Sequence, residues 1–216
     1  MKVSASILAA DLADLYGSSQ KALKAGADLI HLDIMDGHFV PNLTFGAPVA
    51  AALKKRLPEV PMDAHLMITD PARYALDFVK AGCTYVAFHA EALPDAALLI
   101  SKIRAAGGRP GMAVNPDTSE DVLKPYARDL DYVLFMSVNP GFAGQKFMPE
   151  VVPKLARFTA WCRAEGLSLE RAVDGGVSPE NAGDLAAAGA TILVASASIY
   201  RAPDMAAAIR SLKSAN

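Results

Sequence analysis

Glycine residues recur where a helix-like segment gives way to an apolar run, and this recurrence constrains the fold more than any other feature. An Ala-Gly or Glu-Gly pair stands at such a junction at Gly26, Gly82, Gly107, Gly166 and Gly189. Glycine suits the left-handed position just past a helix C-terminus. The long intervals between these glycines are close to twice the short ones, so 216 residues divide into eight strand–helix units of about 27 residues.

Eight short apolar runs follow this rhythm and are predicted to be strands. Most do not alternate between apolar and polar residues, which is typical of parallel strands covered on both faces. The runs are VSASIL (3–8), DLIHLDI (28–34), VPMDAHLM (60–67), YVAFHA (85–90), RPGMAV (109–114), DYVLFMSV (131–138), LERAVD (169–174) and TILVAS (191–196).

Apolar stripes with helical spacing lie between the runs. They are Leu12, Leu15, Tyr16 and Leu23; Val151, Leu155, Phe158 and Cys162; and Met205, Ile209 and Leu212. Asp70-Pro71 and Ser178-Pro179 each predict a helix start, with a capping residue followed by proline. This alternation predicts an α/β protein, either an open doubly wound sheet or a closed barrel, and periodicity alone does not separate the two.

Composition narrows the class further. Hydrophobic residues make up 52% of the chain and its net charge is −2, with no basic run longer than Lys54-Lys55-Arg56. We therefore expect one domain over residues 1–216 and no nucleic-acid partner. No window has the length of a membrane span, and the N-terminus does not resemble a signal peptide. Cys83 and Cys162 are expected to be small buried residues of a cytoplasmic protein.

The four histidines indicate where the chemistry is concentrated. His31, His38, His65 and His89 fall late in a predicted strand or just after one. In α/β folds, active sites lie at the carboxyl ends of the strands. His31 and Asp33 lie two residues apart on one strand, so both are expected on the same side of it.

A metal site is the first functional hypothesis. His31, Asp33, His65 and Asp174 are predicted to converge and to hold one divalent ion, for which zinc, ferrous iron, manganese and cobalt are all suitable. The alternative is that each ionisable group is hydrogen-bonded into the rim of the sheet.

The two aspartates suggest a reaction. Asp33 and Asp174 belong to predicted strands two and seven, so in a ring of eight they would approach a central ligand from different sides. One carboxylate would remove a proton from a carbon beside a carbonyl, and the other would deliver a proton to the opposite face. A metallohydrolase would use similar ligands but needs no second acid/base.

An anion site is predicted in three loops after consecutive strands. Small residues there let backbone N–H groups approach a phosphate, and the last loops of a barrel are its usual cradle. The residues are Gly141, Phe142, Ala143 and Gly144; Gly175 and Gly176; and Ser196 and Ala197.

Met35, Met67 and Met136 each lie near a strand end, either as core filling or as an apolar collar that excludes water.

Six motifs, in order along the chain, resemble the ribulose-phosphate 3-epimerase family from about residue 3 to residue 210. They are SILAADL, HLDIMDGHFVPNLTFG, DAHLM, FHAEA, NPGFAGQKF and VDGGV. The resemblance implies a single-domain (β/α)8 TIM barrel of the ribulose-phosphate-binding type. It also implies interconversion of D-ribulose 5-phosphate and D-xylulose 5-phosphate through an enediolate, and commonly a homo-oligomer.

The resemblance also implies roles for individual residues. Asp33 would be the proton acceptor and Asp174 the proton donor, both also metal ligands with His31 and His65. Ser6 and His65 would contact substrate, the glycine loops would surround phosphate, and the three methionines match the family's cap.

One departure leaves alternatives open. After strand eight the family usually carries Gly-Ser, whereas this chain has Ser196-Ala197. Together with GFAG in place of the commoner GFGG, it leaves an allulose-6-phosphate 3-epimerase as an alternative. A non-catalytic phosphosugar-binding barrel is the alternative from another class.

Overall fold

A computed structural model describes residues 1–93 and 95–215, and strands and helices alternate along them. The strands are β1 (Lys2–Ser6), β2 (Leu29–Met35), β3 (Met62–Met67), β4 (Tyr85–His89), β5 (Arg109–Val114), β6 (Tyr132–Met136), β7 (Glu170–Asp174) and β8 (Ile192–Ala195). The α-helices are α1 (Leu15–Lys24), α2 (Ala47–Arg56), α3 (Pro71–Lys80), α4 (Ala97–Ala105), α5 (Val151–Ala164), α6 (Pro179–Ala187), α7 (Ala197–Tyr200) and α8 (Met205–Lys213). Short 3-10 segments occupy Ile7–Ala9, Ala90–Ala92 and Glu120–Tyr126.

The strands form a closed parallel barrel, which decides between the two architectures that periodicity left open. Each strand pairs with its neighbour in sequence, and β8 pairs with β1 from Lys2↔Ile192 to Ala5↔Ala195. All eight predicted strands are present, and the TIM-barrel prediction is confirmed. Between β5 and β6 the 3-10 segment Glu120–Tyr126 takes the place of an α-helix.

The predicted helix starts are present. The side chain of Asp70 accepts a hydrogen bond from the backbone N–H of Arg73, and Ser178 forms a capping box with Asn181. The apolar stripes of α5 and α8 face the core. The placement of Leu12 in the first stripe is wrong: α1 begins at Leu15, and Leu12 is 58% exposed in the preceding turn.

The interior has two layers. One lies between the strands and the surrounding helices, and both cysteines are buried there as free thiols. The other fills the barrel lumen beneath the carboxyl ends of the strands, with Tyr85, Tyr132 and Leu134 among its members. This mostly apolar floor lies beneath the polar side chains that gather at the carboxyl-terminal mouth. Within residues 1–93 and 95–215, no helix is both long and apolar enough to cross a lipid bilayer.

Candidate active site

Four predicted ligands converge at the mouth of the barrel. β2 alternates so that His31 and Asp33 both point into the lumen, and the pairing of β2 with β3 sets His65 directly beside Asp33. Asp174 closes the group from the end of β7. One ligand atom from each residue lies within 4.8 Å of the others.

Two imidazole nitrogens in this cluster have no hydrogen-bond partner, although both rings are fully buried. They are Nε2 of His31 and Nδ1 of His65. Nε2 of His31 lies 3.4 Å from Oδ1 of Asp33 and 3.7 Å from Oδ2 of Asp174. Nδ1 of His65 lies 3.5 Å and 3.6 Å from the same two oxygens. These separations are too long for good hydrogen bonds but suit four donors around one ion, so the residues fit a divalent metal.

The charges of the cluster are unbalanced without a cation. Burial alone would lower the pKa of His31, but the carboxylates of Asp63 and Asp33 outweigh it and raise the pKa well above its usual value. Burial also opposes the charged form of His65, whose pKa is nevertheless raised by Asp174 and Asp33. The pKa of Asp33 is lowered despite its burial, because His31 and His65 favour the carboxylate. The site therefore attracts positive charge.

Behind His31 lies a buried chain of hydrogen bonds that sequence reasoning missed. Nδ1 of His31 is 2.7 Å from Oδ2 of Asp63, and the hydroxyl of Tyr132 donates to Oδ1 of Asp63 at 2.5 Å. Gly111 makes room for the Tyr132 ring, since a Cβ there would lie 2.0 Å from it. Asp63 therefore orients His31 with Nε2 toward the site, as carboxylates do behind metal-binding histidines.

Of the two remaining histidines, only one reaches the cluster. His89 is fully buried and its Nε2 lies 2.8 Å from Nε2 of His65. His38 is exposed in the loop after β2, where its Nδ1 contacts the backbone oxygen of Asp36. Grouping all four histidines at the site is therefore wrong for His38, because the chain turns outward after Met35.

A cavity of about 240 Å³ opens beside the cluster, and nearly every residue predicted to bind substrate lines it. His31 and His65 lie behind its wall rather than on it. The predicted residues that line it are Ser6, Asp33, Met35, Met67, Met136, Gly141, Phe142, Ala143, Gly144, Asp174, Gly175, Gly176, Ser196 and Ala197. Gln145, Ser178 and Ser198, which the sequence did not single out, line it as well.

The glycines of the loop after β7 are required by both conformation and space. Gly176 has φ +63°, and a Cβ there would lie 2.7 Å from the backbone nitrogen of Phe147. Gly175 has φ +111°, and a Cβ would lie 2.5 Å from Val138. The loops after β6 and β7 therefore approach each other too closely for a side chain at either position, and glycine leaves the backbone N–H groups accessible to an anion.

The Ser196 hydroxyl faces away from the anion loops. It donates to the backbone oxygen of Ser6 at 2.8 Å and accepts from the backbone N–H of Ala9 at 3.0 Å. Ser196 therefore ties β8 to β1 at the barrel mouth. The Ser198 hydroxyl is also engaged, since it donates to the backbone oxygen of Val177 at 2.6 Å, so any contribution of this segment to anion binding is limited to its backbone.

The loop after β2 packs against residues that line the cavity. Asn42 donates to the backbone oxygen of Gly141 at 2.7 Å, which joins the loops after β2 and β6. Val40 packs with Met35 and Met67, both nearly fully buried. The predicted apolar collar therefore borders the polar cluster directly.

A closed eight-stranded barrel with ionisable side chains gathered at the carboxyl ends of its strands defines a TIM-barrel enzyme. Solved structures with this architecture include 3-hexulose-6-phosphate synthase from Salmonella typhimurium, at 18% identity, TM-score 0.68 and coverage of 100% of this chain and 98% of that one. Another is tryptophan synthase subunit alpha from Legionella pneumophila, at 17% identity, TM-score 0.66 and coverage of 99% and 92%. At these identities the likeness shows the fold alone.

Closer relatives define the family. The model of the Ribulose-phosphate 3 epimerase family matches residues 2–200. Ribulose-phosphate 3-epimerase of Bacillus subtilis is 42% identical over 216 residues, covering 99% of this chain and 98% of that protein. The Escherichia coli K12 protein of the same name is 40% identical over 212 residues, with coverage of 98% and 94%. The chain belongs to the ribulose-phosphate 3-epimerase family, and it is an isomerase that acts on sugar phosphate.

Proposed function

We propose that the chain interconverts D-ribulose 5-phosphate and D-xylulose 5-phosphate by transferring a proton at carbon 3 between Asp33 and Asp174. The observation that carries this proposal is the convergence of both carboxylates with two unpartnered imidazole nitrogens, all within 4.8 Å, at the edge of a cavity of about 240 Å³. A protein that only binds a phosphosugar needs no such carboxylate pair.

His31, Asp33, His65 and Asp174 would hold one divalent ion, and zinc, ferrous iron, manganese and cobalt are the candidates for this mixed nitrogen and oxygen donor set. When bound, such an ion supplies positive charge to the two oxygens of the enediolate. The unpartnered Nε2 of His31 and Nδ1 of His65 support this assignment, because buried nitrogens without partners are costly unless something fills the site.

Asp33 and Asp174 perform the proton transfer. Asp33 takes the proton from carbon 3 on one face of the substrate, and Asp174 gives a proton to the other face; the roles exchange in the reverse direction. In each direction one group starts as the base and the other carries the proton that it delivers. Ser6 assists by holding one oxygen of Asp33 through a 2.6 Å hydrogen bond.

The remaining predicted residues bind and shield the substrate. Backbone N–H groups of Gly141–Gly144, Gly175–Gly176 and Ala197 surround the phosphate, whereas His65, behind the cavity wall, serves the substrate as a metal ligand. Met35, Met67 and Met136 cover the reacting carbons and exclude water from the enediolate.

The two buried free thiols support a reducing cytoplasm as the compartment in which the protein works.

The experiment is epimerisation in deuterated water with full-length protein of known metal content. We expect deuterium on carbon 3 of the product, loss of turnover after chelation and recovery on adding back a single metal. Allulose 6-phosphate, assayed in parallel, tests the substrate. Product without solvent deuterium, or turnover that survives complete metal removal, contradicts the proposal.

A further inference from the structure

The FHAEA motif contributes two side chains that the proposed reaction leaves unused. His89 ends β4, and Glu91 lies in the 3-10 segment Ala90–Ala92 that follows it. Nε2 of His89 lies 2.8 Å from Nε2 of His65, and Nδ1 of His89 lies 3.1 Å from Oε2 of Glu91. A continuous hydrogen-bonded chain therefore runs from the candidate metal ligand His65 to a carboxylate.

Proton counting fixes the direction of this chain. The 2.8 Å contact between the two Nε2 atoms requires one proton between them. A carboxylate only accepts, so Nδ1 of His89 must carry the proton that faces Glu91. A buried neutral ring has a single N–H, which leaves Nε2 of His89 as an acceptor. His65 must then donate from its own Nε2, so the neutral ring of His65, the form that binds a metal, keeps its lone pair on Nδ1.

Glu91 is held firmly enough to impose this order. Its second oxygen accepts a 2.8 Å hydrogen bond from the backbone N–H of Asn115. The loop that carries Asn115 is anchored by buried Lys154, which donates to the backbone oxygens of Asn115 at 2.7 Å and Pro116 at 3.3 Å. Both carboxylate oxygens of Glu91 therefore have fixed partners.

The ring of His89 is fixed from its other side. The Phe39 ring, from the loop after β2, lies against it with 4.8 Å between centroids. The His65 ring meets it edge to edge through the Nε2 contact, with 5.0 Å between centroids and 25° between the ring planes. The two neighbouring rings and the Glu91 carboxylate therefore restrain the orientation of the His89 ring.

We propose that Glu91, acting through His89, keeps the proton of His65 on Nε2 and thereby aims the Nδ1 lone pair of His65 at the ion. Glu91 and His89 are positioning residues, and the inference rests on the metal site of the proposed function. The arrangement parallels Asp63 behind His31, but it uses an extra imidazole and ends on a side chain that is 23% exposed. Partners of this kind behind a metal ligand govern metal affinity.

The test compares Glu91→Gln with Glu59→Gln in metal-free, full-length protein titrated with Co²⁺. The amide of Glu91→Gln can offer its oxygen to only one of the two N–H groups that Glu91 serves. Glu59 is exposed in the connection from α2 to β3, at the opposite end of the barrel, and loses the same charge. We expect Glu91→Gln to bind Co²⁺ about 10- to 100-fold more weakly, with altered visible absorption of the bound ion, and Glu59→Gln to match wild type.

A second measurement needs no variant. In wild-type protein with ¹⁵N-labelled histidine, NMR should find the proton of His89 on Nδ1 and that of His65 on Nε2. A proton on Nε2 of His89, or a Glu91→Gln variant that binds Co²⁺ within twofold of wild type, overturns the inference and leaves the proposed reaction standing. A wild-type protein that binds no Co²⁺ overturns the metal site and the inference together.

Discussion

The hydroxyl of Ser6 donates a 2.6 Å hydrogen bond to Oδ2 of Asp33, which joins β1 to β2 at the centre of the site. This bond occupies one carboxylate oxygen and leaves Oδ1 to face the free nitrogens of His31 and His65. Because Oδ2 is bonded to Ser6 and Oδ1 faces the two imidazoles, the carboxylate of Asp33 has a defined orientation before any substrate binds.

Ser6→Ala should therefore lower kcat. Hydrogen bonds to charged groups are worth about 1.5–3 kcal/mol, which corresponds to a loss of about 10- to 150-fold. Ser4→Ala is the matched control, because Ser4 lies on the same strand and its buried hydroxyl has no partner. Steady-state kinetics on both variants checks this, and an unchanged kcat in Ser6→Ala contradicts the role given to the bond.

Tyr132→Phe should reduce both stability and metal affinity. It leaves Oδ1 of Asp63 buried without its donor, which costs about 1–3 kcal/mol, and it frees the group that orients His31. Tyr85→Phe is the control, since Tyr85 lies in the same lumen cluster but its hydroxyl contacts Arg109, an exposed residue. Urea unfolding should show a lower free energy of unfolding, and Co²⁺ titration a weaker affinity, for Tyr132→Phe than for Tyr85→Phe. Equal values in the two variants would argue against the role given to the hydrogen bonds behind His31.

Gly176→Ala should raise KM for the sugar phosphate. The new Cβ would meet the backbone of Phe147 and Gln145, so the loops after β6 and β7 must move apart. Gly166→Ala has nearly the same φ, +65° against +63°, but open space around it. It should cost only the left-handed backbone penalty of about 1–2 kcal/mol and leave KM unchanged. Equal KM values in both variants would contradict the assignment of these loops to the phosphate site.

Metal binding should weaken as the pH falls. The pKa values of His31 and His65 are raised above the usual 6.5 in the metal-free protein, so protons compete with the ion for the same nitrogens. Affinity for Co²⁺ should therefore decrease from pH 8 to pH 6, and calorimetry in buffers of different ionisation enthalpy should detect proton release. A Co²⁺ affinity independent of pH over this range contradicts the charge balance described for the site.

The raised pKa of His31 also makes the stability of the metal-free protein depend on pH. This stability should fall as the pH rises, whereas metal affinity should increase. A histidine whose folded pKa exceeds 6.5 stabilises the fold fully below that pH, and the contribution is lost as pH rises through the folded pKa. Metal-free protein should therefore melt at lower temperature as pH rises from 6.5, whereas His31→Asn should lack this component. Thermal unfolding monitored by circular dichroism measures both.

The sequence allowed the strand positions and the convergence of His31, Asp33, His65 and Asp174 to be predicted, because histidines and aspartates near strand ends carry a local signal. No local sequence pattern indicates that the barrel closes. Parallel strands that are buried on both faces lack the alternation that would distinguish a barrel lumen from the face of an open sheet. The bond between Tyr132 and Asp63 joins residues 69 positions apart, and nothing local to either indicates it.

Two predictions were wrong for local reasons. Leu12 continues the helical spacing of α1, but the cap at Asp14 starts the helix after it, and the side chain remains exposed. His38 follows β2 closely in sequence, yet Asp36 binds the backbone N–H groups of His38 and Phe39 and turns the loop outward. Capping and turn hydrogen bonds override position along the chain.

The two carboxylates give the most direct test of the account. Asp33→Asn and Asp174→Asn, each shown to be folded and loaded with metal, are incubated in deuterated water with each pentulose phosphate separately. If one carboxylate serves each face, neither variant converts the sugars, and each exchanges the carbon 3 proton of only one epimer, a different one in each variant. Near-normal conversion by both variants would contradict the assignment of Asp33 and Asp174 as the proton-transferring pair.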